Sequence, residues 1–141
     1  MKLKKEVILI IIILISIIIL DFVTNYISEK SVKEIMAKLD EISILIETAK
    51  YQNNQNELSS ETEKNLEEKV SNLKNEWNNK QNKLAMFVEH DELEKVTISI
   101  VLLEENIKNL EFVNAQENEA EVKYWLNHFK EKEKLNLKNI F

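Results

Sequence analysis

Residues 31–50 read SVKEIMAKLDEISILIETAK, and this stretch decides the fold. Val32, Ile35, Leu39, Ile42, Ile46 and Ala49 follow one another at steps of three, four, three, four and three. Those steps place all six on one stripe of an α-helix, the pattern of a coiled-coil or bundle seam. Such a stripe needs apolar partners elsewhere in the chain.

Upstream lies MKLKKEVILIIIILISIIILD, residues 1–21. From Val7 to Leu20 only Ser16 is polar. That block is short of the roughly 20 residues that cross a bilayer. The longer stretch from Leu3 to Tyr26 is sufficient if lysines snorkel at one end and Tyr26 sits at the other boundary. Asp21 then falls near the far headgroups, where a charge costs less than at midplane. A buried soluble helix is the first rival, but no later segment is apolar enough to enclose it. A cleaved signal peptide is the second, but no Ala precedes Ala37 to supply a small-residue cleavage site. The reading is an uncleaved anchor. Lys2, Lys4 and Lys5 put its start in the cytoplasm, so the rest of the chain is expected outside the cell membrane.

Composition narrows the rest. The 141 residues contain no Gly, no Pro and no Cys. Lack of Gly and Pro removes the main helix breakers and the usual tight-turn residues. Lack of Cys excludes disulfides, thiol nucleophiles, thiolate metal sites and lipidation on Cys. The formal charge is −6, and the opening segment is net positive, so the remainder is more acidic still. That disfavours nucleic acid and anionic lipid surfaces as partners.

Downstream, periodicity lapses at YQNNQNELSS (51–60), the first expected loop. Ser60 and Glu63 have capping-box spacing. A second stripe follows: Leu66, Val70, Leu73, Trp77, Lys80, Leu84 and Phe87. Trp77 is the largest core candidate, and its indole N–H needs a partner. Asp91 and Glu94 have the same capping spacing ahead of a third stripe, Leu93, Val96, Ile100, Leu103, Ile107 and Leu110. This segment is rich in β-branched residues and is expected to be the most buried. EFVNAQENEAE (111–121) reads as another turn region. The last helix carries Val122, Trp125, Leu126 and Phe129, and the tail LNLKNIF (135–141) is expected to fold over the bundle end. The expected architecture is all-α: a transmembrane helix over residues 1–27, then an elongated three- to four-helix antiparallel bundle over residues 28–141. A long bent hairpin around Glu89–Asp91 in place of two helices is the alternative.

Trp77 with FVEHDELEKV (87–96) and the closing EKEKLNLKNIF (131–141) resembles a clostridial family of small membrane-anchored helical proteins, the domain-of-unknown-function family numbered 4363. The resemblance is sharp over Trp77, Glu89, His90, Asp91, Glu92 and the tail residues Leu135, Leu137, Asn139, Ile140 and Phe141. It implies the layout just described and no activity.

VEHDELEK (88–95) is the densest set of functional groups. His90 and Glu94 share a helix face if the helix is continuous. A divalent metal could use His90 with one or two carboxylates, but the spacing is not that of H-E-x-x-H and His128 could approach only through folding. The plainer reading has Asp91 and Glu94 capping a helix and Glu89 and His90 facing water. Without Gly, nucleophile-elbow and phosphate-loop motifs cannot form. No catalytic, cofactor or metal residue is therefore assigned. Trp77, Glu89, His90, Asp91, Glu94, Trp125, Phe129, Asn139 and Phe141 are kept as interaction candidates. The functional expectation is a membrane-anchored structural or protein-interaction module, not an enzyme. Its partners would be lipid through the anchor and either a second copy or another membrane protein. The alternative is a helical bundle that binds a small ligand and acts through a partner.

Overall fold

A computed structural model of the chain describes the backbone of residues 2–86 and 88–138 and the side chains of residues 4–86 and 88–132. Four helices follow in order: α1 (Lys2–Asn54), α2 (Ser60–Leu84), α3 (His90–Lys108) and α4 (Phe112–Lys138). Each packs on its neighbour in sequence, and α4 closes the ring on α1. This is the expected all-α, antiparallel bundle in its four-helix form, and α1 reaches beyond it at one end. The bent-hairpin alternative falls, because the chain turns between Leu84 and His90.

The seam at residues 31–50 forms as its spacing requires. Val32, Ile35, Leu39, Ile42, Ile46 and Ala49 are all buried. They join Leu66, Val70, Leu73, Trp77 and Leu84 of α2 and Leu93, Val96, Ile100, Leu103 and Ile107 of α3 in one core. From α4 come Phe112, Ala115, Val122, Leu126 and Phe129. Trp77 is fully buried, and its Nε1 donates to Thr97 Oγ1 on α3 at 2.8 Å. Burying an aromatic of this size and leaving no orphan donor is worth roughly 3–5 kcal/mol against Ala.

Ion pairs flank the seams and set the register. Lys38 meets Glu76 at 3.0 Å and Lys69 meets Glu41 at 2.8 Å across α1 and α2. Lys80, which occupies a place in the apolar stripe of α2, is half-buried and pairs with Glu34 and Glu76. Lys74 reaches Glu104 on α3 at 2.5 Å. Lys123 of α4 reaches Asp40 at 2.7 Å, and Lys50 donates to Gln116 at 2.7 Å.

Several local expectations are corrected. The cap of α2 is Ser59, not Ser60: its hydroxyl accepts from the Thr62 N–H at 3.1 Å. α3 is preceded by Glu89, which makes no side-chain cap, so Asp91 and Glu94 do not cap it. Residues 51–54 are still helical. Residues 112–121 are helix, and the turn is confined to the few residues before Phe112. Phe112, Ala115, Glu119 and Val122 are all buried at steps of three, four and three. Glu119 holds a core position beside Lys123 Nζ at 2.6 Å, and that charge masked the stripe. The expectation for α3 is not among those corrected: it buries seven of its nineteen residues, although Ile98, Val101 and Leu102 on its outer face are exposed. α4 stays helical to Lys138, so residues 135–138 do not fold over as an irregular tail. Phe87, Asn139, Ile140 and Phe141 lie outside the described residues, as do the side chains of Leu135 and Leu137.

With no Gly available, Asn56 and Leu110 take the left-handed conformation at the ends of α1 and α3, with φ of 57° and 59°. In both turns a Schellman pair closes the helix. The Glu57 N–H donates to Gln52 O at 2.8 Å, and the Glu111 N–H donates to Asn106 O at 2.8 Å. Leu110 fits the end of the third stripe by spacing alone. It is instead the residue that ends the helix, in a conformation costly for a side chain other than Gly or Asn.

Candidate functional site

The first part of α1 differs from every other helical surface in the chain. Residues 7–15, 17–20, 22 and 23 are apolar and exposed all round, from Val23 at 44% to Phe22 at 73%. Its hydroxyls bond back to the helix, Ser16 to Ile12 O at 2.8 Å and Thr24 to Leu20 O at 2.7 Å, and Asp21 is its one exposed charge between Val7 and Tyr26. A helix with its own polar groups satisfied and no dry partner is what hydrocarbon accepts. The helix is long and apolar enough to cross a membrane, with none of its most apolar window buried. At 1.5 Å per residue, residues 7–23 span roughly 25 Å and residues 3–26 roughly 36 Å. These values bracket a hydrocarbon core of about 30 Å. Burial begins at Ser28 and Ser31, and the helix runs through that change without a break.

The bundle has a near end, next to this rod, and a far end. The near end holds the start of α3, the turn between α2 and α3, and the last turns of α4. Glu92 is its hub. It is 8% exposed, and its Oε1 lies 3.0 Å from Lys132 Nζ and 3.4 Å from His128 Nε2. Lys132 also donates to Glu89 at 2.7 Å. The ammonium beside it holds the Glu89 carboxyl below the usual carboxylate range, and the Glu89 and Glu92 carboxylates raise Lys132. His90 and Asp91 open α3 and are exposed, as is Glu94. Folding therefore brings His128 to Glu92. No group of three metal-ligating side chains forms among the described residues.

One turn up, Lys95 Nζ sits 4.1 Å from the centre of the Trp125 ring, a cation–π contact. Tyr124 and His128 meet the same indole edge-on, at 5.1 and 5.9 Å between ring centres. Trp125 is half-buried against the core, and its Nε1 has no hydrogen-bond partner among the described residues. Phe129 is core, as is Trp77. Of the candidates read from sequence, Glu89, His90, Asp91 and Glu94 therefore gather at the near end. Trp77 and Phe129 are structural, and Asn139 and Phe141 lie outside the described residues.

Glu92 was the member sequence reasoning undervalued. It precedes Leu93 of the core stripe, and only α4, through Lys132 and His128, makes that position electrostatically special. Also undervalued was the outer face of α3, where Ile98, Val101 and Leu102 are 50%, 40% and 40% exposed at steps of three and one. The surplus of β-branched residues was the available signal. At the far end a shallow hollow of about 260 Å³ lies among Lys50, Asn54, Leu110, Phe112 and Val113. It shares no residue with the near-end cluster.

The family model of a domain of unknown function, DUF4363, matches residues 48–140. The match takes in the end of α1 and almost all the chain beyond it, and leaves the apolar rod outside. No curated protein and no solved structure matches the chain.

Proposed function

The chain belongs to the DUF4363 family, and from that premise we propose a membrane-anchored, extracytoplasmic structural or protein-interaction module. One observation carries the reading: α1 is a single unbroken helix, apolar and exposed on all sides below Tyr26 and a one-faced bundle helix above Ser28. Such a helix joins lipid to bundle without a hinge, so the bundle is held at a fixed height and orientation. The three lysines at the start favour a cytoplasmic N-terminus, with the bundle on the other side.

No catalytic role is part of this proposal. The near-end carboxylates Glu89 and Glu92 are engaged by Lys132, which suits structural fixation of α3 to α4. The outer face of α3 offers the apolar contact for a second copy or another membrane protein. Ligand binding within the bundle gains no support from a core whose apolar residues form one cluster through all four helices.

The test is in-cell photocrosslinking from Ile98 of the full chain, with exposed Glu61 on α2 as control. A discrete crosslinked species from Ile98 and none from Glu61 is the expected result. No species from Ile98, together with a monomer in detergent, would overturn the interaction role. Topology is read in the same cells from a tag after Phe141, expected to be removed by external protease.

A further inference from the structure

We infer that the near end of the bundle rests on the lipid surface, with the α2–α3 turn as its contact and Met86 as the side chain that enters the headgroup region. The inference rests on the membrane-anchored reading above. Its geometry comes from the register. Lys38–Glu76 and Lys80–Glu34 fix α2 antiparallel to α1. Carried onward, that register puts Leu84 level with Lys30 and the turn after it level with residues 26–28. Lys123–Asp40 fixes α4 in the same way and brings Lys138 level with Asn25. Two elements thus come down to the height at which the rod leaves the bundle.

Two described apolar residues of the turn, Met86 and Val88, face opposite ways. Val88 packs inward on the core, and Met86 points out at 76% exposure. Tyr26 and Phe22, 60% and 73% exposed, continue the apolar surface down the rod at and below that level. A flexible thioether side chain at the same height as an exposed Tyr suits the boundary between headgroups and acyl chains.

Charge points the same way. The far half of the bundle, residues 41–70 and 100–122, holds thirteen acidic and four basic residues. The near half, residues 21–40, 71–99 and 123–138, holds eleven acidic and twelve basic, so only this half can approach anionic headgroups without repulsion. The occupant is therefore the bilayer that holds the rod.

The chain has no Cys, so single probes can be placed cleanly. Full-length Met86→Cys, Tyr51→Cys and Ile13→Cys variants carry an environment-sensitive fluorophore. Each is reconstituted in phosphatidylcholine vesicles containing phosphatidylglycerol and nitroxide-labelled lipids. The expected result is severalfold stronger quenching at 86 than at 51 by a shallow nitroxide, with 13 quenched best by a deep one. Quenching at 13 but none at 86 overturns this inference and leaves the anchor standing. A blue-shifted but unquenched probe at 86 means a protein cover, such as a second copy, and also overturns it. No quenching at 13 overturns the anchor and this inference together.

Discussion

Residues 4–26 and 28–54 belong to one helix, yet they have opposite surfaces. In the first part Ile10, Ile13 and Ile18 are 56%, 50% and 65% exposed, and apolar residues cover every side. In the second, Ile35, Ile42 and Ile46 are at most 1% exposed, and charged residues occupy the other faces. Secondary structure does not separate the two parts. What separates them is how apolar residues are spread around the axis, because that spread selects the medium a helix tolerates. The rod suits an apolar medium all round, and the seam suits the helices packed on it, α2 and α4.

One substitution placed in each part tests that division. Ile42→Arg puts a charge in the core with no partner, a change that costs several kcal/mol. The expected outcome is loss of the cooperative thermal transition in detergent micelles, while the chain stays in the membrane fraction of cells. Ile13→Arg, near the middle of the rod, costs about 2.5–3.5 kcal/mol of insertion free energy. Its outcome is the mirror image: a reduced membrane fraction and a melting temperature close to that of the parent. If Ile13→Arg lowered the melting temperature as far as Ile42→Arg, the two parts would share one core and the comparison would collapse.

Acid should act on the bundle part alone. Glu34, Glu41, Glu89 and Glu104 are all held below the usual carboxylate range, in each case chiefly by a hydrogen bond from lysine on another helix. Their folded values lie below their unfolded values. The stability they contribute is therefore present above the unfolded carboxylate range and lost as pH falls through the folded values. Lys69 and Lys132 are raised by carboxylate partners. Partial burial works against the charge on Lys123, but Asp40 and Glu119 outweigh it and raise that group too. Their contribution is complete at neutral pH and is lost only as pH rises through the folded lysine values. Melting temperature is expected to be flat near neutrality and to drop below about pH 4. Pairs this exposed keep the drop modest. Membrane retention, which depends on apolar area, should not follow it.

How much of this was legible depended on whether one side chain carried one message. The seam of α1 was readable because each member from Val32 to Ala49 is apolar and each is buried. α4 was read as starting late because Glu119 sits at a core position and its partner Lys123 lies on the same helix. Hydropathy counts that pair as surface. The near-end cluster was only half legible. Glu89, His90, Asp91 and Glu94 stood out as a dense patch, yet the buried carboxylate is Glu92, chosen by Lys132 forty residues away. The start of α2 was misplaced by one residue because adjacent Ser59 and Ser60 can both cap, and only backbone geometry chooses between them.

Leu110 illustrates the same limit and gives a smaller test. Its apolar side chain fitted the third stripe by spacing, but the chain needs a left-handed residue there and has no Gly to supply one. Leu110→Gly relieves about 1 kcal/mol of backbone strain, partly offset by lost side-chain contact. A rise of a few degrees in the melting transition is expected, with no change in membrane fraction. Asn56→Gly should do less, because Asn tolerates that conformation.

The smallest effect is expected where the two parts meet. Ser28 is fully buried, and its Oγ has no hydrogen-bond partner among the described residues. Ser99, also buried, donates to Lys95 O at 2.9 Å. Burial of a hydroxyl without a bond disfavours the folded state, and Ala is the better helix former. Ser28→Ala should therefore leave thermal stability unchanged or raise it by up to about 1 kcal/mol. Ser99→Ala gives up a satisfied bond and should fall slightly below the parent. If Ser28→Ala were instead clearly destabilising, the hydroxyl would be bonded at the neck, and the change of medium along α1 would have to begin above Ser28.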